Sequence, residues 1–260
     1  MYKTEYILPN DILPYVNCIM IGSNTNEDSH TNIPLYADGY PGIMYQSSDH
    51  GFYLFPKEKK LSELFLYGQT LQPISLDVKG VHEYIVVQLY PFASKYLLGI
   101  APKVLNDDCY DLLQLDHVNT NFYRNELAKT SEINQQISIL FNLIRSLIKA
   151  NIVSENAIIE RVIRIIIEKK GQIKVKEILD IVPITERTLE RNFMNYVGLT
   201  PKQFARIIQF QSSIHLLSQS KFDTLLDVGL DSGFSDQSHF IRTFKSYTGQ
   251  TPKFYLNQIA

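Results

Sequence analysis

Along the first half of the chain, apolar and aromatic residues come in short runs; along the second half they recur at helical spacing. Before residue 130 the runs Gly51-Phe52-Tyr53-Leu54-Phe55, Leu64-Phe65-Leu66-Tyr67 and Tyr84-Ile85-Val86-Val87-Gln88-Leu89-Tyr90 are separated by turn residues such as Asp38-Gly39, Pro41-Gly42 and Lys79-Gly80. Brief apolar runs bounded by glycine, proline and aspartate are strand and hairpin signals. After residue 130, Ile133, Ile137, Leu140, Ile144 and Leu147 step by four, three, four and three residues, which sets all of them on one face of a helix. A second helix follows, with Ser154 placed as its N-cap, Ile158, Ile159, Val162, Ile163 and Ile166 as its apolar residues and Gly171 as its stop. The pattern predicts an α+β multidomain protein: a β-rich N-terminal domain over residues 1–130, a connecting helix over 131–153 and an all-α domain over 154–260.

The all-α part repeats at an offset of 51 residues. Phe193, Tyr196, Gly198, Thr200, Pro201, Lys202 and Phe204 are matched by Phe244, Tyr247, Gly249, Thr251, Pro252, Lys253 and Tyr255, and upstream Leu189 and Arg191 by Phe240 and Arg242. Such a match is one supersecondary unit used twice. In the first copy, Lys174 to Ile181 reads as a short helix and Val182-Pro183-Ile184 breaks it; Thr185 then caps a helix whose Leu189 and Phe193 face inward, and Gly198 ends it. Thr200 caps the next helix, with Pro201 in its first position, where a missing N–H costs nothing. In the second copy Leu225 to Asp231 is the short helix, Gly233 marks the turn, Ser235 or Asp236 is the cap, Phe240 and Phe244 face inward, Gly249 is the stop, and Thr251-Pro252 opens the last helix. Each copy is a helix-turn-helix by spacing. The helix between them, from Pro201 to about Ser218, is roughly 27 Å long at about 1.5 Å per residue. Its Phe204, Ile207, Ile214 and Leu217 form an apolar stripe that would pack against both copies. If this helix sets their separation, two recognition helices could enter successive major grooves, about 34 Å apart on one face of DNA.

The run Asp227-Val228-Gly229-Leu230-Asp231-Ser232-Gly233-Phe234-Ser235-Asp236-Gln237-Ser238-His239-Phe240-Ile241-Arg242-Thr243-Phe244-Lys245, followed by Gly249-Gln250-Thr251-Pro252 and Tyr255, resembles the signature of the AraC/XylS family of bacterial transcription regulators. Thr188-Leu189-Glu190-Arg191-Asn192-Phe193, with Gly198-Leu199-Thr200-Pro201-Lys202-Gln203-Phe204-Ala205-Arg206, resembles the same family's upstream motif. The resemblance covers residues 155–257, about 40% of the chain, and departs from the family where Val182-Pro183-Ile184 replaces the usual glycine of the first turn.

It implies that the exposed face of each second helix reads bases. Opposite Leu189 and Phe193 these are Arg187, Glu190 and Arg191. Arginine suits guanine O6 and N7 through a bidentate fork, whereas Glu190 could accept from a cytosine amine or restrain the two arginines. Opposite Phe240 and Phe244 they are Gln237, Ser238, His239 and Arg242. Gln237 suits an adenine edge, Ser238 a phosphate or a base edge, and His239 either such a contact or plain surface. Lys202 and Lys253, beside the helix starts at Thr200 and Thr251, are expected on phosphates, since helix amides and an ammonium both favour an anion. Phe234 and Tyr255 are assigned to core.

Toward the N-terminus, Leu13-Pro14-Tyr15-Val16, Ala37-Asp38-Gly39-Tyr40-Pro41-Gly42-Ile43-Met44 and Leu66-Tyr67-Gly68-Gln69-Thr70 resemble the cupin-like domain of a branch of these regulators, implying a small β-barrel or jelly roll that binds an effector or dimerises. Thirteen of the 16 tyrosines precede residue 154, which suits an aromatic-lined pocket or, more simply, a barrel core. No ligand-binding residue is singled out there. The helix from Ser131 to Ala150 could pair two chains or pack on its own domain.

Composition trims the alternatives. The 260 residues are 45% hydrophobic and carry 25 Lys+Arg against 27 Asp+Glu, ordinary for a globular chain. The net charge of −2 hides an asymmetry: −5 over residues 1–154 and +3 over residues 155–260, which points to an anionic partner for the latter. Cys18 and Cys109 form neither a disulfide framework nor a CxxC zinc site, which suits a reducing compartment. No apolar run is long enough for a membrane span, and residues 1–17 lack a basic stretch followed by an apolar run, so a cytoplasmic protein without membrane contact is expected. His30, His50, His82 and His117 are scattered, and His82-Glu83 would point to opposite faces of a strand, so no metal, cofactor or catalytic residue is expected.

Two function classes follow: a sequence-specific DNA-binding regulator, or a cupin-like enzyme whose C-terminal helices serve only packing or protein association. The doubled unit with arginines on both exposed faces favours the regulator. Its implied partners are double-stranded DNA and RNA polymerase, with a small-molecule effector and a homodimer as further candidates.

Overall fold

The computed structural model describes residues 2–4, 6–150, 153–219 and 222–259. Positions 151 and 152, inside the expected connecting segment, lie outside the described residues. Two compact units result: one of residues up to Pro34, Tyr40–Gly68 and Ile74–Glu155, the other of Leu35–Gly39, Gln69–Pro73 and the residues from Asn156 onward.

The first unit is built on antiparallel strands β1 (Tyr2–Thr4), β2 (Val16–Asn24), β3 (His30–Leu35), β4 (Gly42–Ser48), β5 (Tyr53–Phe55), β6 (Lys59–Lys60), β7 (Leu64–Tyr67), β8 (Ile74–Lys79), β9 (His82–Leu89) and β10 (Cys109–Asp111). They form two sheets, ordered β1-β2-β9-β4-β7-β10 and β3-β8-β5-β6. Register pairs Ile19 with Val87 and, across β4, Met44 with both Val86 and Phe65. Tyr84 to Leu89 and Gly42 to Gln46 are buried without a break, because both faces of these central strands are covered. In the smaller sheet Leu54, Leu76 and Val78 point in, and Tyr53, Phe55 and Asp77 alternate with them toward solvent.

The implied barrel is corrected here to two open sheets. Closure needs every edge strand to find a partner along its length. The larger sheet ends in strands of three residues, β1 and β10, and the smaller one ends at the two-residue β6.

Three helices complete this unit: α1 (Ala93–Leu98), α2 (Thr120–Ala128) and α3 (Ile133–Ala150), with α3 packed against both others. Ile137, Leu140, Ile144 and Leu147 of α3 are buried, while Asn134, Gln135, Ser138 and Asn142 face water. That apolar face is used up within its own unit and is not on offer to a second copy. Arg145 Nε anchors the helix to Asp11 Oδ2 at 2.6 Å.

The second unit holds α4 (Ala157–Glu168), α5 (Val175–Ile181), α6 (Glu186–Val197), α7 (Pro201–Gln219), α8 (Leu225–Asp231), α9 (Gln237–Thr248) and α10 (Pro252–Ile259). The cap of α4 is Asn156, whose side chain accepts from Ile159 N at 3.2 Å, rather than Ser154. Its core is aromatic: Phe193 meets Phe204, and Phe210 meets Phe244 and Tyr247, with ring centroids 5.0–5.7 Å apart. Thus α7 is the common buttress of both helix pairs. Of its expected stripe, Phe204, Ile207 and Leu217 are fully buried and Ile214 partly so.

Candidate nucleic-acid interface

The first helix pair is α5 and α6. Helix α5 starts one residue later than expected, with Lys174 as the cap whose N–H donates to Glu177 Oε2 at 2.7 Å. Its end is set by Val182, which is buried and extended (φ −119°, ψ 139°), so the turn into α6 needs no left-handed residue where the family resemblance leads one to expect glycine. Thr185 caps α6 by accepting from Thr188 N at 3.3 Å. Leu189 and Phe193 are completely buried, and Arg187, Glu190 and Arg191 stand exposed on the other side. Among the described residues, Glu190 forms no ion pair with either arginine, which leaves its carboxylate open as an acceptor.

The second pair is α8 and α9. Thr224 and Asp227 close a capping box on α8, Thr224 Oγ1 accepting from Asp227 N at 3.2 Å and Asp227 Oδ2 from Thr224 N at 2.9 Å. The turn passes through Gly233 at φ +85°, a conformation an L side chain rarely adopts. Of the two expected caps for α9, Asp236 is the one used: its Oδ1 accepts from His239 N at 2.8 Å. That bond, with a second from the Ser235 hydroxyl, holds the Asp236 carboxyl below the ordinary aspartate value of 3.8. Phe240 and Phe244 are completely buried, while Gln237, Ser238 and Arg242 are exposed. His239 is half-buried, its Nδ1 3.2 Å from Ser235 Oγ and its ring edge-on to Phe234. Arg242 folds back along α9, where its Nε donates to Ser238 O at 3.3 Å.

A family profile described as a helix-turn-helix domain matches residues 178–258. Those residues are an AraC-type helix-turn-helix domain, the DNA-binding module of transcription regulators. A second profile, for a domain of unknown function, matches residues 5–111. The chain is similar to an uncharacterized HTH-type transcriptional regulator of Haemophilus influenzae, 21% identical over 130 residues that make up 47% of this chain and 43% of the relative. It is also similar to the HTH-type transcriptional regulator ArgR of Pseudomonas aeruginosa, 30% identical over 82 residues, 32% of this chain and 25% of that one. The matched parts are thus less than half the length of these relatives. Among solved structures, ToxT from Vibrio cholerae shares the fold, with a TM-score of 0.51 at 12% identity over 93% of this chain and 98% of that one.

In the AraC-type domain both lysines singled out by the repeat sit exposed in the first turn of a helix. Lys202 follows Pro201 at the start of α7, where Thr200 Oγ1 accepts from Gln203 N at 3.2 Å and Gln203 Oε1 accepts in return from Thr200 N at 2.9 Å. Lys253 follows Pro252 at the start of α10, capped by Thr251. Two further exposed cations, Arg206 on α7 and Lys245 on α9, escape the repeat, since the positions 51 residues away hold Asn257 and Met194. Their signal is exposure on an element that bears other cations, which only the fold displays.

Within the β-rich unit, the outer face of the smaller sheet carries a cleft of about 620 Å³, with Tyr53 and Phe55 on its floor and His50, Lys60, Asp77 and Lys79 around them. Asp77 is engaged by His30 Nε2 at 2.5 Å. His82, by contrast, is buried in the unit with Nδ1 against Gly80 O at 2.9 Å. Among the described residues, the largest helix stretches are not long and apolar enough to cross a membrane.

Proposed function

We propose that the protein is a transcription regulator, not an enzyme, that reads two successive major grooves of DNA with α6 and α9. The observation that carries this reading is the doubled helix-turn-helix whose second helices each bury two large apolar residues on one side and expose arginine on the other. On this reading Arg187, Glu190 and Arg191 face one half-site, Gln237, Ser238, His239 and Arg242 face the other, and Lys202 and Lys253 hold phosphates. Its place of action is the cytoplasm, where the chromosome and RNA polymerase are. The cleft beside Tyr53 and Phe55 is the seat for a small polar effector, given its aromatic floor and charged rim. A homodimer, where formed, uses surfaces other than the apolar face of α3.

Selection of duplexes from a random pool by the full chain tests the reading. The expected product is a motif of two half-sites whose centres lie about 10–10.5 base pairs apart. A pool with no enriched motif would overturn it.

A further inference from the structure

A single helix, α7, links the two helix-turn-helix pairs, and a second link joins them from the outside. After α4 the chain turns through Gly171 at φ +75°, and a Cβ there would strike the Ala205 carbonyl and the backbone N of Gln209, so this loop lies directly on α7. The next residue, Gln172, reaches away from the loop, and its Nε2 donates to Asp231 O at 2.7 Å. From α7 itself, Gln209 Nε2 donates to Gly233 O at 3.3 Å. The first acceptor closes α8 and the second lies in the turn between α8 and α9. The last carbonyls of a helix lack intrahelical partners, and Asp231 is the last residue of α8. Gly233 takes part sterically as well: a Cβ at its position would lie 2.6 Å from Gln172 Cγ and 3.1 Å from Gln209 Nε2.

Gln172 is exposed and Gln209 only half-buried, so neither is core filling. What their amides join is the loop ahead of the first pair, the shared helix and the turn of the second pair. We infer that Gln172 and Gln209 are positioning residues that fix the spacing between the two recognition helices on DNA. The inference rests on the two-groove reading. Two heads held at the pitch of the duplex bind as one unit, and an operator with altered spacing then forfeits the second head's contribution.

The test uses the full chain and the duplex enriched by the wild-type protein, together with versions carrying a one-base-pair insertion or deletion between half-sites and versions with one half-site scrambled. The variant is Gln172→Met with Gln209→Met, which keeps side-chain length and removes both N–H donors; each single variant is measured beside it. Wild type is expected to bind the respaced duplexes about tenfold or more weakly than the intact one. The double variant is expected to lose affinity for the intact duplex, to show a respacing penalty below about threefold, and to bind scrambled duplexes as wild type does. A variant penalised by respacing as strongly as wild type overturns the inference alone. Equal losses on intact and scrambled duplexes overturn it too, by giving the glutamines a general structural role. A wild-type protein indifferent to respacing overturns the two-groove reading and the inference together.

Discussion

Asp236 illustrates how a single carboxylate organises a recognition helix. Sequence leaves the cap of α9 open between Ser235 and Asp236; the fold uses Asp236 as the cap and turns Ser235 toward both Asp236 and the His239 ring. Asp236→Ala is expected to lower Tm at neutral pH, and Asp236→Asn, which keeps an acceptor oxygen, to restore most of the loss. The hydrogen bonds from His239 N and Ser235 lower the carboxyl's pKa in the folded state. The stabilisation is therefore fully present above the unfolded value near 3.8 and lost as pH falls through the lowered value. Thermal melts should show the Tm gap between wild type and Asp236→Ala narrowing below about pH 4. A gap that stays constant into strong acid would remove the ionised cap from the account. The same neighbourhood explains the half-buried state of His239: Phe234, read from sequence as core, lies against its ring.

At the scale of elements, α6 and α9 are alike in plan and different in their entry. Helix α9 is reached through the left-handed Gly233 and two outside hydrogen bonds, whereas α6 is reached through the extended Val182. Arg242→Ala is expected to weaken specific duplexes more than random ones, while Lys253→Ala weakens both alike, as competition binding would record. Equal loss from Arg242→Ala on all sequences would move it to the phosphate contacts. Gln237→Ala should cost about 1–3 kcal/mol on the specific duplex. On the two-groove reading, Glu190→Ala, by removing a carboxylate that has no ion pair among the described residues, should raise non-specific affinity and relax preference at one or two base pairs. A larger specific loss from Glu190→Ala than from Gln237→Ala would reverse the ranking of the two helices. Element ends were legible where local chemistry decides them: Gly198 and Gly249 end α6 and α9 in left-handed geometry, and Thr185, Thr200 and Thr251 each accept a first-turn N–H. They were less legible at α4, where Ser154 was the expected cap and the side chain of Asn156 accepts from Ile159 N instead.

Over the whole molecule, charge is unevenly shared, with a net of +3 in residues 155–260 and −5 before them. If the cations of α6, α7, α9 and α10 meet phosphates as proposed, binding releases counterions from DNA, so affinity of the full chain should fall steeply with salt, by about an order of magnitude or more between roughly 50 and 200 mM. An affinity that does not change over this range would count against phosphate contacts by Lys202 and Lys253.

The sequence by itself determined the β-rich character of the first part, the helices of the second, the duplication at an offset of 51, and the buried faces of α6 and α9, because each depends on spacing, turn chemistry and capping within a dozen residues; α1 and α2, inside the stretch read as β-rich, carried no such reading. Only the tertiary structure decided that the strands form two open sheets, that the apolar face of α3 is consumed at home, and that Gln172 and Gln209 meet the turn at Asp231 and Gly233. Strand partners, helix faces and side-chain amides find one another across long loops. No local pattern encodes those pairings, since they depend on how much apolar surface each element can bury against every other.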